Sequence, residues 1–268
     1  MNREKIEKRF HDYAFQYDLS DPKINLKYYH TYRVAALCEQ IAHSVGLSDS
    51  DRDYAWMCGM LHDIGRFEQI TRYGTFKDSE SVNHAHFGVE LLFEEGMITE
   101  YLPEDLTGSE LADLQNLIRK SIYHHSDFRL PEDLTKREQT FCKILRDADK
   151  IDILRVNVEV PMEEIYNTTA EELRESAVSP QTLQAFMAHS AVPHSRKSTV
   201  VDHLVGHISL VFELEYPISL EIVSSQGYLD KMLHFQSDNP ICNEQFSTIR
   251  TVMEAYLQNE NRKISGKA

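Results

Sequence analysis

The sequence predicts an all-α protein, and three observations carry that reading. Apolar residues recur at helical spacing along most of the chain, alternating polar and apolar runs are scarce, and turn-rich stretches separate the helical ones. The first ten residues are charged from the third position and read as the opening of a helix, not as an apolar leader. Over 28–45, Val34, Leu37, Cys38, Ile41, Ala42 and Val45 form one apolar stripe, and Gly46 is a natural stop. A capping cluster at 48–51 opens a second helix over 52–64, with Gly65 ending it. The same spacing predicts helices over 81–95, 110–125 and 137–157, with turn-rich segments at 74–79, 102–109 and 127–135 between them.

Beyond Pro161, helices are predicted over 162–175, 180–190, 199–213 and 241–260, with a polar, locally basic loop at 194–198. No internal repeat or low-complexity tract interrupts the pattern. The organisation expected is a core domain over 1–160 and a helical C-terminal extension over 161–268, packed on the core as one structural unit.

Composition narrows the function. The chain has 268 residues, 41% of them apolar and 26% charged, enough for a substantial core. Its 43 Asp and Glu outnumber 28 Lys and Arg, a net charge of −15 that repels polyanions and anionic membrane surfaces. Nucleic acid polymers and membranes are therefore excluded as partners, and no segment reaches the apolar length of a membrane span. Cys38, Cys58, Cys142 and Cys242 are far apart in sequence and read as reduced core residues of a cytoplasmic protein. The unusual count is 13 histidines.

Several of those histidines lie on apolar stripes. His30 precedes Val34 and Leu37 by four and seven positions; His62 follows Ala55, Cys58 and Gly59 at helical intervals, with Asp63 beside it; His84 leads Gly88, Leu91 and Leu92. His125 continues the stripe of Leu114, Leu117, Ile118 and Ser121, with His124 at its edge, and Asp149 lies on the stripe of Cys142, Leu145, Ile153 and Val156. One such histidine alone reads as a satisfied core residue. Five imidazoles and two carboxylates buried together without partners would cost several kcal/mol per group, and a divalent metal centre satisfies them jointly.

This series resembles the HD-domain metal-dependent phosphohydrolases. His30, the His62-Asp63 doublet within Gly59-Met-Leu-His-Asp-Ile-Gly65, and Asp149 within Asp147-Ala-Asp-Lys-Ile-Asp152 match that family's ligand set. His84 within His84-Ala-His-Phe-Gly88, and His124 within Ile122-Tyr-His-His125, match the extra histidines of its binuclear branch, and the resemblance spans about 25–157. It implies a helical bundle, two divalent ions (Mn, Fe, Co, Ni or Zn), and hydrolysis of a nucleotide or other small phosphate mono- or diester by a metal-activated water. It makes His30, His62, Asp63 and Asp149 ligands of a first ion, with Asp63 bridging to a second held by His84 and His124. His125 is then a further ligand or a phosphate contact. His86 competes with His84, and Asp147 with Asp149; the plain alternative for Asp147 and Asp152 is surface charge.

Catalysis is assigned to Asp63, Arg66 and His125. Arg66 follows the His-Asp-Ile-Gly turn, where binuclear relatives carry a lysine, and its forked guanidinium suits a phosphate clamp. Lys150 and Arg155 are weaker phosphate contacts, and Arg72 and Lys77 lie in or near a loop able to close over a substrate. His125 leads into Ser-Asp-Phe-Arg-Leu-Pro-Glu132, without the glycine- and tyrosine-rich signature of cyclic-dinucleotide phosphodiesterases, so that activity is not implied. Two other classes stay open: a non-catalytic binding or regulatory module stabilised by its metal, and a di-iron oxygenase with a similar ligand set. The expected partner is a small phosphorylated substrate, with a homodimer as a further option.

Overall fold

A computed structural model describes residues 1–166 and 168–265 and contains, among them, only helices, turns and irregular segments. The chain divides into two compact units, Met1–Asp149 and Lys150–Ala268. The division falls inside one long helix, Lys136–Glu159, eleven residues before the boundary expected at 160. The proline and the break in pattern at 160–161 mark the end of that helix, not the change of unit.

The first unit holds α1 (Arg3–Ala14), α2 (Pro22–Ser44), α3 (Asp49–Leu61), α4 (Ile64–Tyr73), α5 (His84–Val89), α6 (Gly108–Tyr123) and the first part of α7 (Lys136–Glu159). The antiparallel pair of α2 and α3 is its spine; α4 packs on α2 and α5, and α6 on α3 and α5. Phe10, Ile41, Met57, Met60, Leu61, Ile64, Phe67, Leu92 and Phe141 are fully enclosed, each worth about 1.5–3 kcal/mol of burial. Phe10 meets Phe67 and Tyr32 edge-on, at 5.8 and 5.5 Å between ring centroids.

The predicted helix over 52–64 is corrected by the structure. The chain leaves α3 at His62, turns at Asp63, and starts α4 at Ile64, so Gly65 lies inside a helix and does not end one. Its role is close packing: a Cβ on Gly65 would lie 2.5 Å from the His84 carbonyl oxygen and 2.7 Å from Gly88 N. Gly59 serves α2 and α3 alike, since its Cβ would lie 2.6 Å from Ala35 Cα. Both glycines of the His-Asp segment are therefore there for backbone approach.

The second unit holds the rest of α7, then α8 (Met162–Tyr166), α9 (Ala170–Glu175), α10 (Pro180–Met187), α11 (Val200–Ile208), α12 (Pro217–Gln226), α13 (Tyr228–Leu233) and α14 (Pro240–Ser265). The single helix expected over 162–175 is two, the second begun by a capping box at Thr169 and Glu172. The expected 199–213 helix tightens into a 3-10 turn after Ile208. Helices α12 and α13 had no clear periodic signal; Pro217 sits in the first turn of α12, where its missing N–H costs nothing. Phe186, Leu204, Val205, Ile208, Phe246, Ile249 and Met253 form this unit's core. Buried Asp202 accepts the backbone N–H groups of Ser179, Ser198 and Thr199. No described helix is long and apolar enough to cross a membrane, and all four cysteines are buried free thiols.

Candidate metal centre

Side-chain caps start the helices that carry the histidines. Asp21 accepts Lys23 N and Ile24 N ahead of α2, Ser48 accepts Asp51 N ahead of α3, and Asn83 accepts Ala85 N and His86 N ahead of α5. His30 then projects from the middle of α2, His62 from the end of α3, Asp63 from the α3–α4 turn and His84 from the first residue of α5. Tyr13 of α1 donates its hydroxyl to the Ile64 carbonyl at 3.0 Å, which pins the turn that presents Asp63.

The six groups converge. Asp63 Oδ2 lies 3.6 Å from His30 Nε2 and 3.4 Å from His62 Nε2, while Asp63 Oδ1 lies 3.5 Å from His84 Nε2 and 3.8 Å from His125 Nε2. Asp149 Oδ1 closes the first group, 3.0 Å from His30 Nε2 and 3.8 Å from His62 Nε2. Two sets are close enough to share one ion each, His30 with His62 and Asp149, and His62 with Asp63 and His125. Asp63 thus turns one oxygen toward each side of the cluster, and no more than 4% of His30, His62, Asp63, His84 or His125 is exposed.

The chemistry of the donor set fits a cation. His62 Nδ1 donates to the Gly59 carbonyl at 2.7 Å and His125 Nδ1 to the Ile122 carbonyl at 2.6 Å, so both rings carry their proton on Nδ1. His84 Nδ1 donates to Asp78 Oδ2 at 2.6 Å. Burial raises the cost of ionising Asp78, but the His84 hydrogen bond and the charge of Arg66 outweigh it and keep Asp78 a carboxylate. The Nε2 atoms of His84 and His125, both left with lone pairs, face each other at 3.0 Å. Burial, then neighbouring Arg66, lowers the pKa of His84; burial, then His84 and His62, brings that of His125 to about 3. Neutral rings with opposed lone pairs make no hydrogen bond to each other, and a divalent cation is the group that accepts both. Burial likewise opposes the charge on Asp63 and Asp149, yet Lys27 and His62 for the first, and His30 for the second, hold both well below the usual carboxylate range.

The structure places the histidine doublet differently from expectation. His125 faces the cluster, whereas His124 turns its Nδ1 to Asp127 at 2.7 Å and packs against Tyr123. Arg146 holds this corner through the carbonyls of His124, His125 and Asp127. His86 is not with His84 in the cluster; it stacks on Tyr123 at 3.8 Å between centroids. Asp147 and Asp152 are buried, 0% and 2% exposed, and not surface charges.

The cations are also redistributed. Arg66 lies beside Asp63, with Nε 3.6 Å from Oδ1, but its Nη1 donates to Phe76 O, Gln69 Oε1 and Asp78 Oδ1 at 2.6, 2.7 and 2.9 Å. It ties the 74–82 loop to the centre, and its buried Nε has no hydrogen-bond partner. Arg72 and Lys77 make pairs with Glu68 and Glu80. Lys150 Nζ donates to the Glu213 carbonyl, and Arg155 pairs with Glu159 over the Tyr228 ring, within the second unit.

Two residues of the centre had no part in the sequence reading. Lys27 brings Nζ to 2.6 Å from Asp63 Oδ2, and its signal was available, one turn before His30 on the same helix. Asp78 lies in a 3-10 turn of the 74–82 loop, where no periodicity singles it out.

The family model of the HD domain matches residues 28–154, a span that contains every histidine and aspartate of this centre. No curated protein and no solved structure matches the chain significantly. HD domains form a superfamily of metal-dependent phosphohydrolases, and residues 28–154, a little under half of the chain, carry an HD domain.

Proposed function

We propose that the protein is a metal-dependent phosphohydrolase that holds two divalent cations on either side of Asp63 and cleaves a nucleotide or other small phosphate mono- or diester. The observation that carries this reading is the opposed pair His84 Nε2 and His125 Nε2, 3.0 Å apart with each ring's Nδ1 committed to a protein acceptor, beside Asp63 Oδ1. His30, His62, Asp149 and Asp63 Oδ2 form the donor set for the first cation, and His84, His125 and Asp63 Oδ1 that for the second. Imidazole and carboxylate together suit Mn, Fe, Co, Ni or Zn.

Bound there, the divalent cations supply Lewis acidity toward phosphoryl oxygens and lower the pKa of a coordinated water. The chain's own residues do the rest. The carbonyls of Gly59 and Ile122 and the Asp78 carboxylate orient three rings so that each presents Nε2. Arg66 ties the 74–82 loop to the centre, and its charge beside Asp63 makes the centre more favourable to an anion. The acidic surface, −15 overall, disfavours long polyanions, while the dications make the centre itself attractive to a small one.

Purified protein loaded in turn with each of the five metals is tested against nucleoside mono-, di- and triphosphates, dinucleotides and nitrophenyl phosphate esters. Release of phosphate or of a mononucleotide is expected with at least one metal and is lost in Asp63→Ala. Full metal uptake without cleavage of any ester overturns the reading and favours a metal-stabilised binding module.

A further inference from the structure

Of the two cations beside Asp63, Lys27 makes the closer approach. It is 14% exposed, and its Nζ lies 2.6 Å from Asp63 Oδ2, the oxygen that faces His30 and His62. An ammonium carries three donors, and among the described residues Asp63 is the one acceptor within hydrogen-bonding range of Lys27 Nζ. The Phe76 ring covers the same side chain, 5.5 Å from Nζ, and lies 5.7 Å from the Arg66 guanidinium. Arg66 differs in its commitments: its Nη1 already serves Phe76 O, Gln69 and Asp78, and these contacts build the loop.

Asp63 is the carboxylate that faces both donor sets, so an anion held between them lies next to it. An ammonium one hydrogen bond from Asp63 is within reach of that anion. We propose that Lys27, oriented by Asp63 and backed by Phe76, is the side chain that binds the phosphoryl group of the substrate, in the place the sequence assigns to Arg66. This rests on the phosphohydrolase reading. A compact ammonium with rotatable donors suits a phosphoryl group whose shape changes in the reaction, better than a planar fork fixed by three protein acceptors. A cation held by Asp63 would compete with Lys27 for the carboxylate's charge and leave the ammonium available to an anion.

The test measures binding of inorganic phosphate by calorimetry to metal-loaded wild type, Lys27→Met and Lys27→Arg, with the metal content of each determined separately. Lys27→Met should keep the wild-type metal content and bind phosphate about ten- to a hundredfold more weakly, the loss of one charge-assisted hydrogen bond, with Lys27→Arg recovering part of it. Equal phosphate binding by wild type and Lys27→Met overturns the assignment while leaving the phosphohydrolase reading intact. Metal-loaded wild type that binds no phosphate overturns both. A second measurement does not depend on how the variants fold: phosphate should slow acetylation of Lys27 in the metal-loaded wild type, read by mass spectrometry against the exposed Lys8. Unchanged Lys27 acetylation overturns the assignment.

Discussion

Asp78 Oδ2 accepts a hydrogen bond from His84 Nδ1 at 2.6 Å, and through it a loop residue decides which nitrogen of a helical histidine faces the centre. The other carboxylate oxygen takes Arg66 Nη1 at 2.9 Å and Gln69 Nε2 at 3.0 Å, so Asp78 is itself fixed from two sides. Gln69 also donates to Ser81 Oγ and the Val82 carbonyl, which completes the anchoring of the 74–82 loop.

Asp78→Asn should therefore keep the fold and lose metal affinity. Removing the partner that orients a metal-ligating histidine typically costs ten- to a hundredfold in affinity. Calorimetric titration of the metal-free variant with Mn²⁺ measures it, and unchanged affinity at both donor sets would show that Asp78 serves the loop alone.

Substitutions at the two adjacent histidines should separate sharply. His125→Ala removes a ring whose Nε2 faces His84 and should lose metal from the second donor set. His124→Ala removes a ring already paired with Asp127 and should retain wild-type metal content. Asp63→Ala should empty both donor sets. Metal content after gel filtration reads all three; retention of two equivalents by Asp63→Ala contradicts the shared position of that carboxylate.

Gly65→Ala should destabilise the first unit and weaken its metal binding together. The added methyl meets backbone at 2.5 and 2.7 Å, and neither the His84 carbonyl nor Gly88 N can swing aside as a side-chain tip would. Overpacking of this kind costs about 1–3 kcal/mol or more, and the displaced backbone includes His84. A lower urea midpoint with reduced Mn²⁺ affinity is the expected pair of results. Gly74→Ala, at a left-handed position with open space around it, provides a comparison in which stability falls without loss of affinity.

Acid should destabilise the metal-free protein before its carboxylates begin to titrate. His84 and His125 are held neutral by burial, with pKa values below the ordinary 6.5 and that of His125 near 3. Below about pH 6.5 the unfolded chain takes up protons that the folded chain refuses, so stability falls as pH drops from 6.5 toward 3. Asp63, Asp78 and Asp149, all lowered, add a further loss as pH falls below the ordinary carboxylate value. Urea midpoints of chelator-treated protein at pH 7.5, 6.0 and 5.0 should decline in that order, and His125→Phe, which cannot take up the proton, should flatten the decline.

Much of this protein was legible from the chain alone. Helical spacing located most of the helices and placed His30, His62, His84 and His125 on faces that the structure buries, and Asp149 on one that it half-buries. That reading succeeds because the 3.6-residue period ties a side chain's direction to its position within a helix. It weakens where helices end. His124 and His125 follow the last residue of α6, and there the neighbouring contacts with Asp127, Ile122 and Arg146 decide which ring turns inward. The same holds for Gly65, which reads as a stop in one dimension and is a point of contact between α4 and α5 in three. Asp78 has no period to betray it, and Lys27 looks like any helical lysine until Asp63 stands beside it. The sequence by itself determined most of the helices and the imidazole and carboxylate groups that they carry. The tertiary structure decided which atoms meet, because that depends on the packing of segments distant in sequence, which no local pattern encodes.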